Sequence, residues 1–181
     1  QSYMQLTNMC TVRQMVRADL DKVLSWRNHI YVRRHMLTQH KISISEHQKW
    51  FETNSKEPYK RMLIVEEEGL EIGYVNLNGV APNASADWGF YLTPYAPKGS
   101  GKKFSFAVLN FAFCELNLQK ICGQVLSYNK ASIRFHRNIG FHQEKVLCRK
   151  YQIKGVFYDL ICFGLHRNEW FKKNINYPNN K

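Results

Sequence analysis

The stretch Pro97-Lys98-Gly99-Ser100-Gly101-Lys102-Lys103 sets two glycines around a serine and brings three lysines together just before a long apolar run. Glycines let successive backbone N–H groups converge on one concavity, and a helix starting there adds the positive end of its dipole. Phosphate is the ligand such a cradle suits. The same letters also make an ordinary turn, and neither a G-x-x-x-x-G-K-[ST] loop nor a G-x-G-x-x-G fingerprint is present.

A second group of chemistry-bearing residues runs from Arg27 to Lys49. It holds five basic side chains (Arg27, Arg33, Arg34, Lys41, Lys49) and four histidines (His29, His35, His40, His47) against one acid, Glu46. Trp26, Tyr31, Trp50 and Phe51 interleave with them. Cations beside aromatic faces suit an acceptor that carries phosphates and a base to stack, whereas a polyamine or aminoglycoside would call for carboxylates. Taken singly, each residue could belong to a solvated basic face.

Composition sets the frame. A chain of 181 residues, 44% hydrophobic and 14% aromatic, fits one domain with a sizeable core. A formal charge of +12 favours an anionic partner, either a phosphorylated small molecule or a polyanion. No basic stripe runs along one helix, which argues against a nucleic-acid module. Five scattered cysteines form no C-x-x-C pair, so neither a metal site nor a disulfide framework is expected, and the reading is a reducing cytoplasm. The longest apolar stretch, Phe104 to Cys114, is too short to span a membrane, and nothing resembles a signal peptide. Gln1-Ser2-Tyr3 ahead of Met4 reads as a remnant preceding the natural start. The domain is expected over 11–166, with 1–10 an extension and 167–181 a tail, polar and disordered from Asn174.

The elements that must position these residues follow from periodicity. A helix is predicted around Leu20, Val23, Leu24 and Arg27, with Asp19 as N-cap; a second follows Ser45, whose spacing to Gln48 suits a capping box. Strands over "RMLIVEE" and "EIGYVNLNGV" flank a turn at Glu68-Gly69, and "ADWGFYLT" is a third. Lys102 to Leu118, apolar nearly all round, reads as a buried central helix. "KICGQVLS" is a strand, Asn129 onward a helix ending at Gly140, and two strands close a hairpin at Lys154-Gly155. The class is α/β (α+β mixed), a sheet layered with helices.

Two stretches together resemble the GCN5-related N-acetyltransferase (GNAT) superfamily. Ala96 to Gly101 is similar to its Q/R-x-x-G-x-G/A motif, with Ala96 where Gln or Arg is usual. Asn129 to Phe141 is similar to its N-x-x-A/S-x-x-F-Y-x-x-x-G-F helix, with His136 where Tyr is usual. The resemblance implies a twisted central mixed sheet flanked by helices and acetyl-CoA as cosubstrate, with no metal. It implies that Lys98 and the backbone of Gly99, Ser100, Gly101 and Lys102 hold the pyrophosphate. The strand from Phe90 to Leu92 would pair with the pantetheine arm, Asn129 would reach that arm or a nearby backbone group, and Ser132 and Phe135 would line the site. An N–H at Phe90 or Tyr91 would receive the developing oxyanion. His136 would either protonate the departing thiolate or only pack beside the cosubstrate while water does so. The base is Asp87 or a water chain along Asn76 and Asn78.

"LSWRNH", "SISEHQKWF", "GFYLTP" and "SIRFHRNIGF" further resemble the N-acetyltransferases of pseudaminic acid biosynthesis, which acetylate the 4-amino group of a UDP-linked amino-dideoxy sugar for flagellin or surface glycans. By that likeness Arg27 and His47 hold the diphosphate, with Tyr91, Trp50, Phe51 and Asn78 around the rest of the acceptor. "WRNH" is shared with acetyltransferases of ribosomal-protein N-termini, so protein acetylation stands as an alternative, as does an acetyl-CoA sensor without catalysis. A homodimer through the sheet edge is compatible with either reading.

Overall fold

The computed structural model describes residues 10–174. Among the described residues seven strands form one sheet: β1 (Cys10–Gln14), β2 (Lys60–Glu67), β3 (Leu70–Asn78), β4 (Ser85–Leu92), β5 (Lys120–Leu126), β6 (His142–Ile153) and β7 (Val156–His166). Their spatial order is β1-β2-β3-β4-β5-β7-β6. Every neighbouring pair is antiparallel except β4–β5, which is parallel and is joined by the long crossover.

The helices are α1 (Leu20–Asn28), α2 (Ile30–Arg33), α3 (Ile44–Asn54), α4 (Ser100–Asn110), α5 (Lys130–Asn138) and α6 (Arg167–Lys173). They cover both faces, so the central strands are apolar on both sides. On β2, Met62 and Ile64 point into a core with Leu20, Val23, Trp26 and Phe51 from α1 and α3; Leu63 and Val65 point into the larger core under α4. Alternation of side chains along a strand produces this division, and it explains why "MLIV" shows no polar interruption. On β3, Ile72 is the extra residue of a bulge opposite Val65 and Glu66, which puts it on the same face as Val75 and Leu77.

Four expectations needed correction. Asp19 does not cap α1 with its side chain; it accepts the Val16 N–H at 2.8 Å and a bidentate pair of bonds from Arg13. The capping box of α3 is Ser43–Glu46, not Ser45–Gln48: Ser43 Oγ accepts the Glu46 N–H at 3.1 Å, and Glu46 Oε1 accepts the Ser43 N–H at 3.3 Å. A charged Glu in the first turn gains from the helix dipole where a Gln does not. Residues 167–173, grouped with the tail by sequence, form α6, and Trp170 is buried in the larger core. The central helix also ends early: α4 passes into one π-helical turn, Phe111–Glu115. The tail expectation beyond Asn174, and the remnant expectation for 1–3, lie outside the described residues. Among the described residues no helix is long and apolar enough to cross a membrane.

Candidate active site

The parallel pair β4–β5 is joined only from Ser85–Trp88 to Lys120–Gly123. Beyond Trp88, β4 continues to Leu92 against β3 alone, and β5 continues to Leu126 against β7 alone. The two strands therefore splay into a cleft. Thr93 N–H donates to the Ile72 carbonyl, so by alternation the backbone groups of Tyr91 and Gly89 also face β3. Those of Phe90 and Leu92 face the cleft. A backbone N–H without a ladder partner beside an open slot is what an extended amide-bearing ligand can pair with. Of the two N–H groups expected to serve an oxyanion, that of Phe90 faces the cleft and that of Tyr91 is turned toward β3.

The glycine stretch lies near the end of β4. Gly99 adopts φ +89°, and a Cβ there would meet nothing within 4 Å, so the loop is open on that side. Gly101 lies close to α5: a Cβ would stand 3.3 Å from the Phe135 ring. Lys98 and Lys102 are exposed. Ser100 departs from expectation. Its N–H is used by the Pro97 carbonyl at 3.0 Å, and its hydroxyl donates to Glu67 at 3.4 Å. Lys103 reaches the same carboxylate at 2.8 Å, which ties the helix start to β2. Among the described residues the donors left for an anion are the amide of Gly99 and those from Gly101 onward, not that of Ser100.

Asn129 caps α5, its Oδ1 accepting the Ser132 N–H at 3.3 Å, so its side chain serves the helix. Phe90, Phe104, Phe135, Trp88 and Phe141 form a continuous aromatic group around His136. His136 itself is only 2% exposed. Its Nε2 accepts the Trp88 indole N–H at 3.1 Å, and its Nδ1 lies 2.8 Å from the Ser132 carbonyl, which can only accept. The proton therefore sits on Nδ1 and the ring is neutral. Burial pushes its pKa down to about 4, against the smaller opposing pull of the carbonyl. Both nitrogens are committed, which leaves no proton for a leaving thiolate; this corrects the acid role set out for His136. The fit around it is close, since a Cβ on Gly123 would stand 2.7 Å from Nε2 and 2.8 Å from the Trp88 nitrogen.

Across the sheet, Trp50 and Asn54 of α3 face Lys60, Arg61 and Met62 of β2 and Tyr74, Asn76 and Asn78 of β3 around a pocket of about 280 Å³. Trp50, Asn76 and Asn78 are thus brought together as expected, and the lining contains no carboxylate. Asp87, on the same sheet face, is exposed opposite Asn78. Tyr74 was not foreseen: its hydroxyl is buried with no partner among the described residues, its ring lies 5.2 Å from that of Tyr91, and burial pushes both phenols upward. Two expected acceptor residues are elsewhere. Phe51 packs in the α1/α3 core under Arg17. His47 is buried, its Nε2–H donating to the Leu20 carbonyl at 2.9 Å and its ring stacked on Trp50, so it braces α3 against α1. Burial lowers its pKa.

Arg27 is 8% exposed. One of its terminal nitrogens donates to the Thr38 carbonyl at 2.6 Å; the other, NH1, is buried with no partner among the described residues. Burial lowers its proton affinity, and it lies close enough to Tyr91 for the two to interact electrostatically. The segment between α1 and α3 passes over this region as a strap. Asn28 closes its base by giving a bond to the Ile42 carbonyl and taking one from the Ile42 N–H, at 2.8 and 2.7 Å. His29 meets the Tyr95 hydroxyl just after β4, and Arg34 and Gln39 bond Tyr128 just after β5. The strap thus touches both lips of the cleft. Nothing in the sequence pattern marks Tyr128 for this.

Residues 10–142 match the family model described as acetyltransferase (GNAT) domain. An uncharacterised N-acetyltransferase from the SPbeta prophage of Bacillus subtilis, YokL, is 34% identical over 131 residues, 71% of this chain and 73% of that protein. The spermidine N(1)-acetyltransferase of Escherichia coli K12 is 23% identical over 88% of this chain and 87% of its own length. Among solved structures, the spermidine N-acetyltransferase of Vibrio cholerae in complex with CoA and spermine superposes with a TM-score of 0.82 at 22% identity, over 90% of this chain and 98% of that one.

Proposed function

Because the chain belongs to the GNAT acetyltransferase family, we propose that it acetylates the amine of a phosphate-bearing small molecule, a UDP-linked 4-amino-dideoxy sugar, by direct transfer from acetyl-CoA. The observation that carries the acceptor reading is Arg27: a buried guanidinium with one nitrogen unpartnered and no carboxylate within ion-pair distance among the described residues. Such a charge is costly to bury unless an anion completes it. The pocket lined by Trp50 and Tyr74 adds Lys60, Arg61 and asparagines rather than acids.

The residues present fit the cosubstrate. The open glycine loop, with the amide of Gly99, those from Gly101 onward, and Lys98 and Lys102, would hold its pyrophosphate. The cleft-facing backbone of Phe90 and Leu92 would pair with its arm, beside Phe135. Acetyl-CoA supplies the activated acyl group as a thioester. The Phe90 N–H is aimed at the cleft and serves the oxygen on which charge develops. His136 keeps its ring neutral and packed; the departing sulfur takes its proton from water. Asn76, Asn78 and the free Tyr74 hydroxyl line the path by which water removes the amine's proton.

A second reading, a polyamine acceptor, is favoured by the names of the spermidine acetyltransferases similar to the chain. The two are separated by one experiment: acetyl transfer to a UDP-linked amino sugar and to spermidine, with wild type and Arg27→Ala. The proposal expects activity with the nucleotide sugar, and an acceptor KM about 10- to 100-fold higher in the variant with acetyl-CoA KM unchanged. Saturable turnover of spermidine alone, indifferent to Arg27, would refute it.

A further inference from the structure

Arg33, carried by the strap on α2, is a second cation without a counter-charge. Its NH1 donates weakly to the Gln39 carbonyl at 3.3 Å, while its Nε is buried with no partner among the described residues. Arg27 bonds the carbonyl of the preceding residue, Thr38. Consecutive carbonyls of one strap therefore hold two guanidiniums close together, and Arg33 further weakens the proton affinity of Arg27. Arg13 shows what a structural arginine looks like in this molecule. It donates two bonds at 2.8 Å to the Asp19 carboxylate and a third to Glu66. Among the described residues neither Arg27 nor Arg33 has a carboxylate in reach, and each keeps a buried donor unused.

We infer that Arg33 and Arg27 form a phosphate-binding subsite in which Arg33, delivered by the strap, is a specificity-determining residue. Two adjacent cations with free donors are matched by a group bearing two negative charges and several acceptor oxygens, a phosphate monoester or a pyrophosphate, better than by a single carboxylate. The same pair repels an amine-rich chain, so it selects against polyamines as well as for phosphates. The subsite rests on the reading of this cleft as an acceptor site, but its test needs no acceptor.

The test is calorimetric titration of the full chain, saturated with CoA so that the glycine loop is filled, with sodium pyrophosphate and separately with sodium acetate. Wild type is expected to bind pyrophosphate and not acetate, and Arg33→Gln to weaken pyrophosphate binding about tenfold with CoA affinity unchanged. The ligand-free variant should melt no lower than wild type, because an unpaired buried donor has been removed. Equal pyrophosphate binding by both proteins, no binding by wild type, or a melting temperature several degrees lower for Arg33→Gln would each overturn the subsite. If pyrophosphate binds as expected while the UDP-linked amino sugar is not acetylated, the subsite stands and the acceptor assignment falls.

Discussion

Replacing His136 by Phe separates a packed histidine from a titrating one. The ring volume is nearly kept, but the Trp88 indole N–H loses its acceptor in a site that water does not reach. An unsatisfied buried donor costs about 1–3 kcal/mol, so the variant should be less stable by that amount at pH 7.5. Acidification should reverse part of the difference. The folded-state pKa lies near 4, below the ordinary value of 6.5, so the histidine's contribution is whole above 6.5 and is lost as pH falls toward 4. Over that interval the unfolded chain binds a proton that the folded one refuses. At about 1.4 kcal/mol per pH unit, wild type loses about 3 kcal/mol more than the variant. The two stabilities should converge as pH falls and cross near pH 5. Urea unfolding followed by tryptophan fluorescence at several pH values reads this directly, and other groups cancel in the difference. Parallel stability curves for the two proteins would show that the ring is not held neutral and would return His136 to the list of proton donors.

Two further outcomes follow from the geometry. Gly99→Ala places a methyl in the open side of the loop and asks an L-residue to hold φ +89°; it should lower stability by about 1 kcal/mol, by thermal melting. Its larger effect should be on acetyl-CoA, whose KM should rise while the acceptor KM stays fixed; equal changes in both would show that the loop does not hold the cosubstrate. Trp170→Ala should cost about 3–5 kcal/mol in chemical denaturation, because the side chain fills the core beneath the π-helical turn. A loss below 1 kcal/mol would show α6 to be dispensable.

The order of the strands and the start of α4 were legible because each is written locally: period-two alternation, turn glycines, an apolar run. The glycine loop was legible for the same reason, whereas the capping bond between Asn129 and Ser132 was not. What the sequence could not carry was direction. His136 reads as a free imidazole until Gly123, with no side chain, lets Trp88 close on it from the neighbouring strand. His47 reads as one of four histidines in a basic segment until its ring is seen to brace Leu20. Tyr74 looks like any strand aromatic, and only the contact with Tyr91 and an unpaired hydroxyl mark it. Residues 167–173 were counted as tail because seven residues with one tryptophan make too short a period to read, and the core supplies what propensity does not.

The Asn28–Ile42 closure has a consequence for how such a protein can change. Two hydrogen bonds at its base make the strap complete in itself, and it asks little of the sheet beneath except a few contacts at its rim. The glycine loop and the splayed strands lie outside it. A lineage can therefore exchange this segment as a cassette, trying new acceptors while inheriting an unaltered grip on the acyl donor. In this chain the cassette is the part richest in arginine and histidine, and its chemistry can diverge while the scaffold stays still.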